Sequence, residues 1–274
     1  MSDDARLEFC LRLAADAGRL AHGGFGRAAM LPAKGRHDEV TAMDREVEHM
    51  VRGAIARAFP GDAVLGEEDG ASADLARAEH AWIIDPIDGT ANYARGIAHY
   101  CVSIGLLRHG APVAGALHDP CHERLYWAAQ DAGAWLVEAG TTRRLAVSPI
   151  DALSAATVEC GWSLRRPQAD YVALVDRMLT AGCAIRRAGS GALGLADVAA
   201  GRTEGYAELH INSWDCAAGL LLVAEAGGRI NDFFAGDGLV AGNPILATNA
   251  ALAEPLAALA GIALHRSTMK EMTR

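Results

Sequence analysis

The chain has 274 residues, 51% hydrophobic and 22% charged, with a formal net charge of −9. That length supports one large domain or two packed lobes, and the composition excludes a disordered chain. The acidic balance argues against a broad phosphate-backbone contact surface, so direct nucleic-acid binding is not expected.

Cysteines stand at 10, 101, 121, 160, 183 and 216 with no C-x-x-C pair, which reads as reduced thiols rather than a disulfide framework or a zinc site. The acidic start Met1-Ser2-Asp3-Asp4 does not resemble a signal peptide, and no apolar run approaches the ~20 residues of a membrane span. A cytoplasmic protein with no membrane partner is expected.

In chain order, Leu7, Cys10, Leu11, Ala14, Ala17 and Ala21 recur at helical spacing and predict a first helix over 5–22. A glycine-rich, charged loop follows, carrying Lys34, Arg36 and His37. Thr41 opens a second helix with the apolar stripe Val47, Met50, Val51, Ala54, Ile55 and Ala58, stopped by Pro60-Gly61. Asp44 suits the acidic first turn of that helix, and this local role alone accounts for it. A short strand, Ala63-Val64-Leu65, runs into Gly66-Glu67-Glu68-Asp69-Gly70. Three acids between glycines read either as a solvated turn or as a carboxylate contribution at a strand end.

The apolar run Ala81-Trp82-Ile83-Ile84 reads as a buried strand and ends in Asp85-Pro86-Ile87-Asp88-Gly89-Thr90. Pro86 fixes φ, and Gly89 allows a sharp turn. Tyr100 to Leu107 and Pro112 to Leu117 predict a hairpin, extended as a meander by 124–128 and 134–137. His118, Asp119, Cys121 and His122, with Pro120 among them, read as a turn rather than a metal cluster. From about Ser148 strands and helices alternate: strand 156–160, helix 168–180, strand 183–187, helix 191–200, strand 204–208, helix 214–226, strand 245–247 and a final helix capped by Asn249. The expectation is a layered α/β protein, one domain of two lobes spanning about 1–147 and 148–274.

Two carboxylates ~4 Å apart repel by ~4 kcal/mol at an effective dielectric of 20, so Asp85 and Asp88 need a cation or a shared proton. Alone, the pair also reads as an acidic surface turn. Asp215 adds an acid at a helix start, where the dipole favours its ionised form. Together Glu67, Asp85, Asp88 and Asp215 suit two or more hard divalent ions, and such a site suits phosphate-ester hydrolysis. A structural calcium site would use the same acids but leave Gly89-Thr90 without a role.

Glu67-Glu68, Asp85-Pro86-Ile87-Asp88-Gly89-Thr90, Trp214-Asp215-x-Ala217-Ala218-Gly219 and Glu225-Ala226-Gly227-Gly228 resemble the signatures of the inositol monophosphatase family, from Val40-Thr41-x-x-Asp44 to the last helix. The resemblance implies an α-β-α-β-α sandwich, a Mg²⁺-dependent, lithium-sensitive phosphomonoesterase, and a homodimer. On matching positions it implies Glu67, Asp85 and the Ile87 carbonyl at a first metal, Asp85, Asp88 and Asp215 at a second, and a third, weaker ion near Glu67. It further implies Thr90 and Glu67 activating water, Asp44 supporting Thr90, the Gly89 and Thr90 amides on phosphate, and Lys34 on a metal-site loop. Ser190, Gly191 and Glu208 would contact the alcohol. Gly191 stands where the family often has alanine, and His210 where it often has glycine, which leaves the chemistry intact and the alcohol open. Inositol 1-phosphate is the expected substrate, with histidinol phosphate as its rival. An interaction protein of the transcription machinery is the reading of a different class.

Overall fold

The structure, a computed structural model, describes residues 3–26, 42–75 and 77–265. The Lys34 loop and the Thr41 cap lie outside those residues. The first half contains α1 (Asp3–Gly24), α2 (Ala42–Ala58), β1 (Ala63–Gly66), β2 (Gly70–Ala71), β3 (His80–Asp88), α3 (Thr90–Ala94), β4 (Cys101–Arg108), β5 (Ala111–Asp119), β6 (Arg124–Ala129), β7 (Gly133–Glu138) and β8 (Thr141–Arg144). The second contains β9 (Thr157–Cys160), α4 (Gln168–Thr180), β10 (Ala184–Arg186), α5 (Gly191–Ala199), β11 (Gly205–Ile211), α6 (Ser213–Glu225), β12 (Arg229–Ile230), α7 (Gly238–Ala241), β13 (Asn243–Thr248) and α8 (Ala253–Ala260).

These elements make five layers. The strands form an eight-stranded sheet in the order β2-β1-β3-β4-β5-β6-β7-β8 and a five-stranded sheet in the order β10-β9-β11-β13-β12. Helices α1 and α2 cover one face of the large sheet, α5 and α6 lie between the sheets, and α4 and α8 cover the far face of the small one. The expected α-β-α-β-α sandwich is present. No helix among the described residues is long and apolar enough to cross a membrane.

Strand β3 is buried along its whole length because both its faces are covered. Trp82 and Ile84 join Cys10, Leu13, Val47 and Val51 of the two outer helices in one core. The alternate residues Ala81 and Ile83 pack with Ala217 of α6 on the opposite face. Period-two alternation thus locks the register, since a slip of one residue would exchange the two faces. The β4–β5 turn uses His109 (φ 49°) and Gly110 (φ 81°), the pair of positive φ values that a two-residue hairpin favours.

The boundaries expected from sequence hold to within a few residues for the long elements. Strand β11 runs on to Ile211, past Glu208, with a bulge between those two residues. Helix α8 begins at Ala253, and Asn249 instead closes the turn before it by accepting from the Leu252 N–H at 3.0 Å. The sequence reading did not include β2, α3, β8, β12 or α7. His118 and Asp119 end β5, and a turn follows them, as expected.

Candidate active site

Strands β1 and β3 are parallel and in register, Gly66 beside Ile84, so Glu67 and Asp85 emerge next to each other at their C-terminal ends. The Glu67 N–H donates to the Ile84 carbonyl at 3.2 Å. Residues three apart on a regular strand point to opposite faces. Between Asp85 and Asp88, however, the pairing with β4 shifts by one residue: Asp85 faces Ser103 and Asp88 faces Cys101. That bulge, at Pro86-Ile87, turns both carboxylates to one side. Asp215 comes from the first turn of α6, where it accepts from the Asn212 N–H at 3.0 Å. Among the described residues, Asp85, Asp88 and Asp215 form the one group of potential metal ligands, each offering an oxygen within 4.8 Å of the others.

The electrostatics of the group follow from burial. Asp85 is 1% exposed. Its Oδ1 accepts from the Ile87 N–H at 3.0 Å, while its buried Oδ2 has no donor among the described residues. Burial, and then the charges of Glu67, Asp88 and Asp215, push its pKa well above the usual carboxylate range. Burial likewise pushes Asp88 up to about 7, although donors from Ser190, Ala192 and Gly191 oppose the shift. Asp215 is pushed up to about 6, again by burial. Two buried acids and a half-buried third around an unsatisfied oxygen are a donor set that fits a hard divalent cation.

Gly89 has φ 99°, and a Cβ there would lie 3.0 Å from the His99 carbonyl, so the turn into α3 requires glycine. Thr90 begins that helix. Its Oγ1 lies 3.1 Å from Asp44 Oδ1 and 2.9 Å from the Ile87 carbonyl oxygen. Asp44 lies in the first turn of α2, as its spacing from Thr41 suggests, and is buried there beside Thr90.

Ser190 and Gly191 sit at the start of α5. The Ser190 hydroxyl donates to Asp88 Oδ2 and accepts from the Leu193 N–H at 3.2 Å. The Gly191 and Ala192 N–H groups donate to Asp88 at 3.2 and 2.8 Å. Ser190 is thus engaged with Asp88 and its helix, although it borders the cavity. A Cβ on Gly191 would lie 3.0 Å from Ile211 Cδ1 and 3.1 Å from the Tyr206 hydroxyl, so glycine here leaves room for the tyrosine. The Tyr206 hydroxyl donates to Glu208 Oε2 at 2.6 Å, and burial pushes Glu208 up to about 8. Glu67, Asp88, Gly89, Thr90, Ser190, Gly191, Glu208 and Asp215 line a single cavity of about 1030 Å³. His210 turns to the edge of that cavity, its Nε2 2.9 Å from the Ala241 carbonyl oxygen.

Two supporting residues escaped the sequence reading. Glu48, buried on α2, accepts from the Glu68 N–H at 2.8 Å, the Asp69 N–H at 3.0 Å and Arg52 Nε at 2.7 Å. It holds the turn that carries Glu67. The signal was its spacing: Asp44, Glu48, Val51 and Ile55 fall on one helical face. Asn92 Nδ2 donates to the carbonyls of His99 and Ala188 at 2.8 and 2.9 Å, tying α3 to the loop before Ser190.

Comparison with known proteins accords with this arrangement. An inositol-1-monophosphatase of Mesorhizobium japonicum is 36% identical over 253 residues, covering 91% of this chain and 93% of that protein. A protein named Nus factor SuhB, of Xylella fastidiosa, is 40% identical over 206 residues, covering 74% and 72%. The crystal structure of the extragenic suppressor protein suhB from Bartonella henselae superposes with a TM-score of 0.84 at 31% identity, covering 94% of this chain and 98% of that one. The profile of the inositol monophosphatase family matches residues 3–266, and with sheets, acids and turn arranged as described, this chain belongs to that family.

Proposed function

We propose that this protein hydrolyses small phosphate monoesters with Mg²⁺ as its cofactor, inositol 1-phosphate being the leading substrate. The observation that carries the reading is the group Asp85, Asp88 and Asp215, each offering an oxygen within 4.8 Å of the others, with Asp88 and Asp215 lining a cavity shared with Glu67 and Thr90. Glu67, Asp85 and the Ile87 carbonyl would hold one ion, Asp85, Asp88 and Asp215 a second, and a weaker third would sit near Glu67. Bound Mg²⁺ neutralises phosphate charge, acidifies water and stabilises the leaving oxygen.

The residues of the chain supply position and proton control. Thr90 has one hydroxyl proton and two neighbouring acceptors, Asp44 and the Ile87 carbonyl. The hydroxyl donates its one proton toward these acceptors, which leaves its lone pairs free to accept from water. Glu67 is the second acceptor for this water. The Gly89 and Thr90 N–H groups face phosphate at a helix start. Glu208 accepts from hydroxyls of the alcohol. The water oxygen bonds to phosphorus, the P–O bond to the alcohol breaks, and the alcohol departs with the electron pair and gains a proton. Orthophosphate and free alcohol are the products.

The decisive test is Mg²⁺-dependent phosphate release by Asp85→Asn and Asp215→Asn. Each variant is expected to lose nearly all activity with an unchanged circular-dichroism spectrum, and retained turnover in either overturns the metal assignment. Histidinol phosphate run beside inositol 1-phosphate identifies the alcohol. The same reading makes the protein lithium-sensitive, dimeric and cytosolic, which Li⁺ inhibition, solution mass and cell fractionation check. The name of the Xylella fastidiosa relative supports a second reading, contact with the transcription machinery. Retention of RNA polymerase by the Asp85→Asn protein would separate it from hydrolysis.

A further inference from the structure

Glu208 stands on β11, apart from the acids of β3 and α6. Tyr206 lies two residues before it on the same strand, and so on the same face. Tyr206 is 2% exposed and Glu208 7%, and both border the cavity. The 2.6 Å between the Tyr206 hydroxyl and Glu208 Oε2 is the short separation of an O–H donor on a carboxylate.

The slot that seats this ring is made of glycine. A Cβ on Gly161, in the loop after β9, would lie 2.5 Å from the Tyr206 hydroxyl and 2.0 Å from Glu208 Oε2. One on Gly194 of α5 would lie 2.6 Å from Tyr206 Cδ2, and one on Gly191 would lie 3.1 Å from the hydroxyl. None of the three has a positive φ, so it is space for the tyrosine, not backbone conformation, that calls for them. Gly161 cannot drift away, because its N–H donates to the Ala207 carbonyl at 3.0 Å.

The consequence falls on Glu208. The last torsion of a glutamate is broad, and an untethered carboxylate would turn either oxygen to the cavity. Here the phenol and the Gly161 main chain close off Oε2, so Oε1 is the oxygen left for the alcohol. The phenol also opposes the upward push that burial gives the Glu208 carboxyl.

We propose that Tyr206 is a specificity-determining positioning residue: seated in its glycine slot, it holds Glu208 with one oxygen toward the alcohol and so selects esters whose alcohol part carries further hydroxyls. The inference rests on the phosphatase reading, and it assigns the choice of alcohol to a residue that acts through Glu208. An acceptor already oriented loses no torsional freedom when substrate arrives, so its advantage is a lower KM and not a faster step. Gly191 belongs to the same device, because a methyl group there would press on the hydroxyl.

The test is steady-state phosphate release at saturating Mg²⁺ from inositol 1-phosphate and from ethyl phosphate, whose alcohol has no further hydroxyl. The parent is expected to have the lower KM for inositol 1-phosphate. Tyr206→Phe keeps the ring and removes the donor, and it is expected to narrow the KM gap between the two esters about tenfold, as loss of one hydrogen bond to a charged group does. Gly191→Ala is expected to narrow the gap in the same direction, and to add little in the Tyr206→Phe protein, since both act through one contact. An unchanged gap in Tyr206→Phe overturns the proposal, as do strictly additive effects in the double variant. A fall in kcat shared by both esters with the gap intact marks a merely structural tyrosine and overturns it too. Equal KM values for the two esters in the parent overturn the selection while leaving the phosphatase reading in place. Release of phosphate from neither ester overturns the phosphatase reading, and the role of Tyr206 with it.

Discussion

Asp85 and Asp88 are three residues apart, yet they differ in the donors that reach them. Asp85 buries an oxygen that no donor reaches, and it faces other acids. Asp85→Asn removes that repulsion and supplies a donor, so the metal-free variant is expected to melt a few degrees above the parent, about 1 kcal/mol for a chain of this size. Asp88 instead satisfies three donors at the start of α5. Asp88→Asn turns one acceptor into a donor aimed at N–H groups and is expected to lower the melting temperature by a similar amount, as losing a helix cap does, about 1 kcal/mol. Melting curves of the three proteins in chelator check both signs, and an Asp85→Asn variant that melts below the parent refutes the account of Asp85. Both variants are expected to lose phosphatase activity, so that stability and activity would separate at Asp85.

At the scale of elements, the turn between β1 and β2 depends on α2. Glu48 accepts from two successive N–H groups of that turn, and Arg52, bonded to Glu48, also donates to the Gly70 carbonyl. A Cβ on Gly66 would lie 2.3 Å from Glu48 Oε1, so the two residues are a matched pair. Glu48→Gln keeps the shape but presents an amide to one of the N–H groups. It is expected to reduce kcat and weaken apparent Mg²⁺ affinity by about 10–100-fold, as loss of an outer partner of a metal site does. Titration of activity with Mg²⁺ measures this, and a changed melting temperature with an unshifted Mg²⁺ curve would make Glu48 purely structural. The long elements were legible in the sequence because periodicity runs through them: the apolar run of β3, the stripe of α2, the apolar body of α6 with Asp215 in its first turn. Elements such as α3, β2 and β12 have two to five residues, too few to show a period, and their partners decide their shape. Glu48 was hidden for a different reason. A lone glutamate on an amphipathic helix reads as solvated until the turn it holds is known.

For the molecule as a whole, the raised carboxylates set a pH dependence. Asp88 moves from an ordinary 3.8 to about 7 and Asp215 to about 6. Between the ordinary value and the raised one the folded chain holds more protons than the unfolded chain, so stability falls as pH rises through that window. The metal-free protein is therefore expected to melt highest near pH 4–5 and to lose stability toward pH 7, within the range where other groups do not dominate. A divalent ion replaces the protons, so stabilisation by Mg²⁺ should grow from pH 5.5 to pH 8, reaching about 2.7 kcal/mol at one hundred times its dissociation constant. Thermal melts across pH with and without Mg²⁺ test the sign, and equal Mg²⁺ shifts at pH 5.5 and pH 8 would refute it. The acids that make this dependence come from β3 and from α6, the helix packed between the two sheets, so an ion held by them would strengthen the junction of the layers and not just a loop.

The donors on Asp88 also bear on ion selectivity. A carboxylate has about four lone-pair positions. Ser190 and Ala192 fill the two on Oδ2, which the Cys101 thiol also approaches at 3.9 Å, and Gly191 takes one on Oδ1, leaving one for an ion. Asp88 can then coordinate through a single oxygen only and cannot swing to chelate with both. Ca²⁺ favours bidentate carboxylates and six to eight oxygens, whereas Mg²⁺ takes single contacts in an octahedron and keeps its waters. A rigid one-point ligand so close to the reacting phosphate is a filter on ionic radius, and Ca²⁺ is expected to compete with Mg²⁺ without supporting turnover.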